Sequence, residues 1–456
     1  MKTLNILFRL VLVFMLAASF NACTTDDLEP STEQNKPVEG GISSVDNLYG
    51  ILKGAYSRMT AVNYYGRDLI INNEVRTDNC FSNGHSGRFT TQASFAYNEN
   101  TGYFWDEAYA AIASANIIIG VNIDELEGDI DYARHMQGQA YAMRALIHFD
   151  LLKQYGQQNV GGNLGVPYVK DFKGEDLFPS RNTVDECVQF ILDDLNTAFD
   201  MMDEKYYDSS QEFLNKYAAK AIESSVAVYF ERWDLAQSAA EAVISSGHYS
   251  IISAGNYVAS WATDGSANSI FELAFNSTDN RGIDGLAYIY RTTGGGSYGD
   301  VQVLNLVEDI YEEGDIRADI LGREDDMLRN IGKFPDNQGY DNVVVIRYEE
   351  VILNYAEALL ETGGDALTEI NKITSNRGAG AYTSVTKEDI LNERRKEFIF
   401  EGKRYDDLMR TGSDIEKVSM QQNFTATIPY GDHRLAWPIP KAETDANSNM
   451  AQNEGY

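Results

Sequence analysis

The sequence predicts a mostly α-helical protein, in which tetratricopeptide-like helix pairs form a scaffold that carries a loop-rich insert with short strands. Apolar residues recur at three- and four-residue intervals over long segments on both sides of the middle of the chain, which is typical of amphipathic helices. Two distant segments repeat one pattern of helix, tight turn and small residues. Between them, short β-type runs alternate with clusters of Gly, Asn, Asp and Ser, which favours irregular structure.

The N-terminal residues predict an export signal followed by a tether. A short basic start precedes an apolar stretch, residues 10–20, that is too short for a bilayer, which needs roughly 20 residues. We therefore predict a signal peptide over residues 1–22. Cys23 follows at the position where bacterial lipoproteins carry a lipidated cysteine; ordinary cleavage that leaves a free cysteine is the alternative. Residues 23–41 would then be the lipidated cysteine and a flexible polar leash.

The charge of the chain limits its partners. It contains 37 Lys and Arg against 69 Asp and Glu, a net charge of −32. Without residues 1–22, which hold Lys2 and Arg9, 35 basic residues remain and the net charge is −34. Such a field repels nucleic acid and anionic lipid headgroups. We therefore expect no nucleic-acid partner, and we expect any membrane tether to be a lipid rather than a basic patch.

The cysteine and histidine patterns predict neither a metal site nor a cofactor. Cys80 and Cys187 are the only cysteines after Cys23, so a disulfide framework is excluded. We favour two separate thiols over a single disulfide between them. No two of the five histidines have the i, i+4 spacing of a helical zinc pair, and there is no CxxC motif. The oxygen-rich stretch 264–268 leaves a calcium site open.

No motif predicts catalysis. The chain has no phosphate-binding loop of the GxxxxGK[ST] type. A glycosidase needs two carboxylates about 5–10 Å apart, but 69 acidic residues will place some pair at that distance in almost any fold. We therefore assign no catalytic residue.

Regular apolar spacing predicts the helices of the first half of the chain. They cover residues 45–59, 103–122, 132–155, 183–202 and 213–230. Thr183 and Glu186 form a capping box at the start of the fourth helix. In the third helix, apolar residues form one buried stripe: Met136, Ala140, Met143, Ile147 and Leu151. Residues 72–100, rich in Asn, Ser, Thr and Gly, are predicted as a long loop.

A repeated pattern favours a tetratricopeptide-like scaffold. Segments 227–244 and 355–373 each contain the end of a helix, a tight turn and then small residues where two helices approach closely. Such pairs stack because none can bury its apolar face alone. We assign residues 42–247 and 347–411 to this scaffold.

Residues 248–346 form the predicted insert. Short β-type runs occur at residues 249–252, 270–275 and 343–348. Glycine- and asparagine-rich clusters separate them and suit a surface built on a helical support. Scaffold, insert and a C-terminal tail, residues 412–456, make up a single predicted domain, residues 42–456.

Alternating charges mark the last predicted helix, residues 387–410. Leu391, Phe398 and Tyr405 recur every seven residues and predict a buried stripe. Arg394 and Glu401 fall on that stripe, so their charges must be paired. Pairs at i, i+3 with Glu397 and Arg404 respectively are expected. We favour an ion-pair network that fixes this helix over a ligand site.

Two polar and aromatic stretches supply the candidate ligand contacts. Sugar rings pack their C–H faces on aromatic side chains, while their hydroxyls require polar partners. The first stretch contributes Asn79, Phe81, Asn83, His85 and Arg88. The second contributes Arg281, Tyr288, Tyr290 and Tyr298. Trp105 and Trp233 have helical core spacing and are predicted to serve packing.

Several short strings occur in a fixed order along the chain. They are Leu48-Tyr49-Gly50 with Tyr56, Trp105 through Asn116-Ile117-Ile118, Ala140-Tyr141-Ala142-Met143-Arg144-Ala145 through Tyr155-Gly156, Gly165-Val166-Pro167, Leu353-Asn354-Tyr355-Ala356-Glu357-Ala358, Ile370-Asn371 with Arg377-Gly378-Ala379-Gly380, Glu393-Arg394-Arg395-Lys396-Glu397 with Glu401-Gly402-Lys403-Arg404, Trp437-Pro438-Ile439-Pro440, and Gln452-Asn453-Glu454-Gly455-Tyr456. In this order they resemble the SusD/RagB family of nutrient-binding outer-membrane lipoproteins, and the resemblance covers essentially the whole mature chain.

The resemblance implies a non-enzymatic, lipid-anchored protein exposed at the outer-membrane surface. Such proteins bind oligosaccharides, and some bind peptides, for delivery to a SusC-like TonB-dependent transporter. A peptide ligand, a lipid-anchored glycosidase and a scaffold that binds only the transporter are the alternatives. The quoted strings belong to the scaffold, so the site is assigned to loops. We expect removal of residues 79–88 to abolish glycan retention without unfolding the protein.

Overall fold

The computed structural model describes residues 41–172, 177–292 and 297–456. Cys23 and the predicted signal and leash up to residue 40 lie outside the described residues. The helices are α1 Val45–Met59, α2 Asp68–Val75, α3 Thr90–Ala93, α4 Trp105–Ile119, α5 Ile130–Tyr155, α6 Val184–Met201, α7 Lys216–Tyr229, α8 Trp233–Ser246, α9 Tyr257–Ser260, α10 Leu286–Tyr290, α11 Tyr348–Thr362, α12 Ala366–Ser375, α13 Lys387–Phe398, α14 Arg404–Arg410 and α15 Lys441–Ala446. The strands are β1 Cys80–Ser82, β2 Ser269–Leu273, β3 Val301–Val303, β4 Leu321–Glu324, β5 Met327–Asn330 and β6 Val343–Arg347.

The long helices stack in the order that the sequence predicts. Helix α5 packs against α4 and α6, and α7 packs against α6 and α8. The second repeated segment forms α11 and α12, and α11 also packs against α8 and α7. Tyr355 of α11 donates from its hydroxyl to Glu241 of α8 at 2.9 Å. The mostly helical, tetratricopeptide-like fold class is therefore confirmed.

Helix α5 is buried on almost every side, more than its predicted stripe implied. All five residues of that stripe are fully buried. Its polar residues are satisfied internally, since Arg144 donates to Asp194 at 2.7 and 2.8 Å. Burial lowers the pKa of His148 to about 3, and its ring stacks on Tyr168 with centroids 3.8 Å apart. His148 is thus a neutral packing residue.

Helix boundaries with clear caps agree with the prediction. Helix α1 occupies the predicted range, and Ser44 caps its first turn by accepting from the Asn47 backbone N–H. Thr183 and Glu186 form the predicted capping box of α6. Each cap supplies an acceptor for N–H groups that the first turn leaves unpaired.

The prediction of a long loop over residues 72–100 is wrong. This segment contains the end of α2, strand β1 and the short helix α3. Three of its asparagines, Asn72, Asn73 and Asn79, are buried, and Asn73 donates to the Gly402 carbonyl at 2.9 Å. Composition was misleading because these polar side chains serve tertiary contacts, which override local preference.

The described residues form three two-stranded antiparallel sheets: β1 with β3, β2 with β6, and β4 with β5. Strand β1 comes from the segment assigned to the scaffold, so the first sheet joins that segment to the insert. In the first, Cys80 pairs with Val303 and Ser82 with Val301. The predicted runs at 270–275 and 343–348 form β2 and β6. The predicted strand at 249–252 is not one; Ser250 donates to the Ala267 carbonyl, and the segment lies outside the three sheets.

The single helix predicted over residues 387–410 is interrupted. Helix α13 ends at Phe398 and α14 begins at Arg404. Between them, Phe400 and Gly402 have φ values of 72° and 75°, which a right-handed helix does not accommodate.

The predicted i, i+3 charge pairs are also wrong, although the ion-pair network itself is present. Arg394 pairs with Asp407 at 2.9 Å and Arg404 with Asp78 at 2.9 Å. Glu397 pairs with Arg317, Arg347 and Arg377, at 3.3, 2.7 and 2.7 Å respectively. Since Arg317 belongs to the insert, the network joins the insert to the scaffold.

The two cysteines of the described residues, Cys80 and Cys187, are free, which is the favoured alternative, and both are buried. Within the part of the chain that the structure describes, no helix has both the length and the apolar character to cross a membrane.

Candidate functional site: an arginine and tyrosine patch

The pairing of β1 with β3 creates the candidate site. It brings the loop after β1 next to residues 297–300, about two hundred positions later in the chain. Asn83 donates from its backbone to the Asp300 carbonyl at 2.9 Å and from its side chain to the Gly299 carbonyl at 2.7 Å. The two predicted contact stretches therefore meet at one surface.

We name this surface the Arg88–Tyr298 patch and define it by six residues. They are Asn83, His85, Arg88, Asp284, Tyr288 and Tyr298. Each has at least part of its surface exposed to solvent. His85 is at the exposed tip of the loop, where its backbone N–H donates to the Asn83 side chain at 2.9 Å.

Arg88 is the centre of the patch. Its guanidinium carbon lies 4.1 Å from the centroid of the Tyr298 ring, a cation–π contact. Its Nη1 lies 3.2 Å from Oδ2 of Asp300, which is buried, and its Nη2 lies 3.7 Å from Oδ1 of Asp284. Burial opposes the charge of Arg88, but hydrogen bonds to Tyr298 and Asp300 raise its pKa above the ordinary value. Arg88 is therefore charged and fixed in orientation.

Two tyrosines give the patch its aromatic surface. The rings of Tyr288 and Tyr298 are half-buried, with centroids 6.4 Å apart and planes inclined at 57°. The Tyr288 carbonyl accepts from the backbone N–H groups of Tyr298 and Gly299 at 2.9 and 3.0 Å. These backbone bonds fix the spacing of the rings before any ligand arrives, which lowers the entropic cost of binding.

A second arginine supports the patch from below. Arg67, 12% exposed, lies 2.6 Å from Asp284 and 2.6 Å from Asp68. Its guanidinium also lies over the ring of Phe89, 5.4 Å from the centroid. Arg67 thereby holds Asp284 beside Arg88.

Four of the predicted contact residues lie outside the patch. Asn79 is fully buried and accepts from Arg395 Nε at 2.9 Å. Tyr290 is fully buried against Phe400. Phe81 is 8% exposed, within strand β1. None of these three side chains presents a usable face to a ligand in this conformation.

Arg281 joins the insert to the scaffold instead. Its Nε donates to the Thr60 carbonyl at 2.6 Å, and its Nη1 lies 3.1 Å from Asp279. Removal of residues 79–88 would delete β1 and the Asn79–Arg395 contact, so that deletion is no longer a clean test of ligand binding. Single substitutions within the patch replace it.

Asp284, Asp300 and Arg67 were not predicted as site residues. No local signal marks them, because their role depends on a strand pairing between residues 80–82 and 301–303. The two strands are short and far apart in the chain, so a single sequence does not show which of their residues pair.

Apart from this patch, a cavity lies between helices of the scaffold. It has a volume of about 70 Å³ and room for ordered water. Its charged groups pair with one another, since Lys153 lies 2.7 Å from Asp406 and Lys403 lies 2.7 Å from Glu350. We assign this cavity to the internal polar network of the scaffold.

Among the described residues, no three His, Cys, Asp or Glu side chains are arranged to hold a metal ion. Asp264, in the oxygen-rich stretch 264–268, accepts instead from the Asn342 backbone N–H at 3.3 Å.

Comparisons with known proteins point in one direction. A family model described as "Starch-binding associating with outer membrane" matches residues 26–228, and one described as "SusD family" matches residues 331–456. A SusD-like protein of Formosa agariphila is 24% identical over 100% of this chain and 99% of its own length. The starch-binding protein SusD of Bacteroides thetaiotaomicron is 31% identical over 130 residues, which are 27% of this chain and 22% of that protein.

The fold is also similar to that of SusD-type proteins. A crystal structure of a SusD superfamily protein from Bacteroides vulgatus superposes with a TM-score of 0.82 at 26% identity, covering 91% of this chain and 100% of that one. Two family models at opposite ends of the chain, a full-length relative and a full-length structural match all agree. The chain belongs to the SusD/RagB family.

Proposed function

We propose that this protein binds an oligosaccharide at the Arg88–Tyr298 patch and delivers it to a SusC-like TonB-dependent transporter. The observation that carries the proposal is the pair of half-buried tyrosine rings, Tyr288 and Tyr298, held beside a fixed guanidinium. The descriptions of the matched families, starch binding and association with the outer membrane, support the same ligand class and location.

The chemistry of the patch suits a sugar. An aromatic ring offers a flat apolar face for the C–H side of a pyranose. Arg88, Asn83 and Asp284, which belong to the same patch, provide donors and acceptors for hydroxyl groups.

We infer that the protein is anchored to the outer membrane by lipid on Cys23 and faces the exterior. The proposed leash, residues 23–41, would join the anchor to the helical scaffold, whose first helix begins at Val45. An acyl chain contributes about 0.8 kcal/mol for each buried methylene, and stable anchoring takes more than one chain. Copurification of a SusC-like protein from native membranes tests the partner.

We expect binding without turnover. The carboxylates beside Arg88 support this, because Asp300 is buried and Asp284 is shared between Arg67 and Arg88. A glycosidase would instead need one carboxyl group free to donate a proton and another to act as base or nucleophile. Incubation of purified protein with each bound glycan should leave its chain length unchanged.

Calorimetry with a panel of oligosaccharides and peptides tests the proposed site. Tyr298→Ala should weaken binding of the recognised oligosaccharide by about tenfold, because it removes the stacking face. Tyr298→Phe is the matched control, since it keeps the ring and should keep most of the affinity. Equal affinity of wild type and Tyr298→Ala would contradict the site. Binding of peptides alone would favour the peptide alternative.

A further inference from the structure

The charges in and directly beneath the Arg88–Tyr298 patch do not balance. Two cationic groups, Arg67 and Arg88, stand among three carboxylates, Asp68, Asp284 and Asp300. Both arginines lie within 4 Å of carboxylates. The patch therefore has a local excess of negative charge even though an arginine is its most prominent polar group.

The contacts of Arg88 limit what it offers a ligand. One face of its guanidinium covers the Tyr298 ring, Nη1 points to Asp300 and Nη2 to Asp284. An incoming carboxylate or sulfate would reach Arg88 only by approaching these two carboxylates as well. Like charges at such short range in a partly buried site repel strongly. A neutral hydroxyl group experiences no such repulsion.

The β4–β5 hairpin lies beside the patch, because its Arg329 donates from Nη1 to the Gly299 carbonyl at 2.9 Å. Arg329 is cationic, but it lies 3.8 Å from the carboxylate of Glu324, which offsets its charge. The turn of that hairpin exposes Asp325 and Asp326. The whole chain carries a net charge of −32, which repels polyanions at long range.

We propose that the patch selects uncharged oligosaccharides and rejects glycans that carry uronate or sulfate groups. This inference rests on the proposed function, because it assigns a ligand class to the same site. Asp284 and Asp300 are the residues that determine this specificity: they hold Arg88 in place for hydroxyl recognition and occupy the positions that an anionic substituent would need.

A matched pair of ligands tests the inference. A neutral oligosaccharide that binds wild type, and binds Tyr298→Ala less tightly, is oxidised at its primary alcohols to give the uronate form of the same chain. Wild type should bind the uronate form at least about tenfold more weakly. In 500 mM NaCl the ratio of the affinity for the neutral form to that for the uronate form should fall, because salt screens the repulsion between like charges. Loss of a hydroxyl contact would not respond to salt.

One variant isolates the source of the discrimination. Asp284→Asn removes a carboxylate that is 39% exposed while keeping the size of the side chain. The variant should therefore prefer the neutral form over the uronate form by a smaller factor than wild type does. Asp234→Asn, which neutralises an exposed carboxylate on α8, should leave the ratio as in wild type.

The outcomes separate the two proposals. Equal affinity for both forms, or Tyr298-dependent binding of an anionic glycan alone, would overturn the selection of neutral ligands while leaving the glycan site intact. If no glycan in either set binds in a Tyr298-dependent way, the proposed function itself fails, and the inference fails with it.

Discussion

Buried charged residues are satisfied by several partners at once in this protein. Glu397 is fully buried and meets three arginines. Burial alone would raise its pKa, but these guanidinium groups hold the pKa well below the ordinary value. Removing one partner of such a buried pair typically costs 3–5 kcal/mol. The patch uses the same principle on a smaller scale, because Arg88 is fixed by two carboxylates.

Glu74 is a buried acid without this compensation, and it yields a prediction about pH. Burial raises its pKa to about 7, although the Gly402 N–H and Lys333 act in the opposite direction. Between about pH 4.5 and 7, Glu74 is therefore protonated in the folded protein and ionised in the unfolded chain. The contribution of Glu74 to stability accordingly falls as pH rises through that window, by about 3 kcal/mol.

The substitution Glu74→Gln removes this dependence. Its free energy of unfolding should rise relative to wild type as pH increases from 5 to 8, as measured by urea denaturation at each pH. Glu388→Gln, at an exposed position on α13, is the control. A difference between Glu74→Gln and wild type that stays constant over this pH range would show that Glu74 does not titrate there.

The break between α13 and α14 is the element on which the charge network depends. It lets the chain turn after Glu397, so that Glu401 also reaches Arg347, at 2.9 Å, and Lys333, at 2.6 Å. Gly402 occupies the turn with φ of 75°, and a Cβ there would lie 3.0 Å from Ile70 Cα. The turn thus requires glycine for both its conformation and its packing.

Gly402→Ala should therefore destabilise the protein by about 1–3 kcal/mol. Gly54→Ala is the matched control: Gly54 lies inside α1, and a Cβ there meets nothing within 4 Å. That change should stabilise by about 0.5–1 kcal/mol. Urea midpoints measure both. Equal effects of the two substitutions would contradict the role assigned to the turn.

Sequence reasoning succeeded for elements whose signal is local. The periodic spacing of α1, α5 and α6 predicted their positions within a few residues, and a capping box also marked the start of α6. It failed where distant partners decide the structure. Nothing local shows that residues 387–410 must turn to place Glu401 beside Lys333, or that Asn73 is buried to bind Gly402.

At the scale of the whole molecule, one hydrophobic core connects scaffold, insert and tail. A single cluster of buried side chains includes Leu48 of α1, Ile270 of β2, Val303 of β3 and Trp437 of the tail. This continuity supports our proposal that residues 42–456 form one domain. The core also explains how a patch built on short strands can be rigid, because β1 and β3 rest on the same buried surface as the helices.

The candidate site was predictable in composition but only partly in position. Sequence alone identified the polar and aromatic stretches, and five of the nine residues it selected lie in the Arg88–Tyr298 patch: Asn83, His85, Arg88, Tyr288 and Tyr298. It did not separate these from Asn79 and Tyr290, since burial of a loop residue depends on what packs above it. It also missed Asp284 and Asp300, on which the inferred ligand class depends.

A crystal structure of the protein with an oligosaccharide selected by calorimetry tests the central claim most directly. We predict a sugar ring stacked on Tyr298, with its hydroxyls hydrogen-bonded to Arg88 and Asn83. A sugar bound elsewhere, for instance at the charged cavity beside Lys153 and Lys403, with the Tyr298 ring left uncovered, would contradict the account.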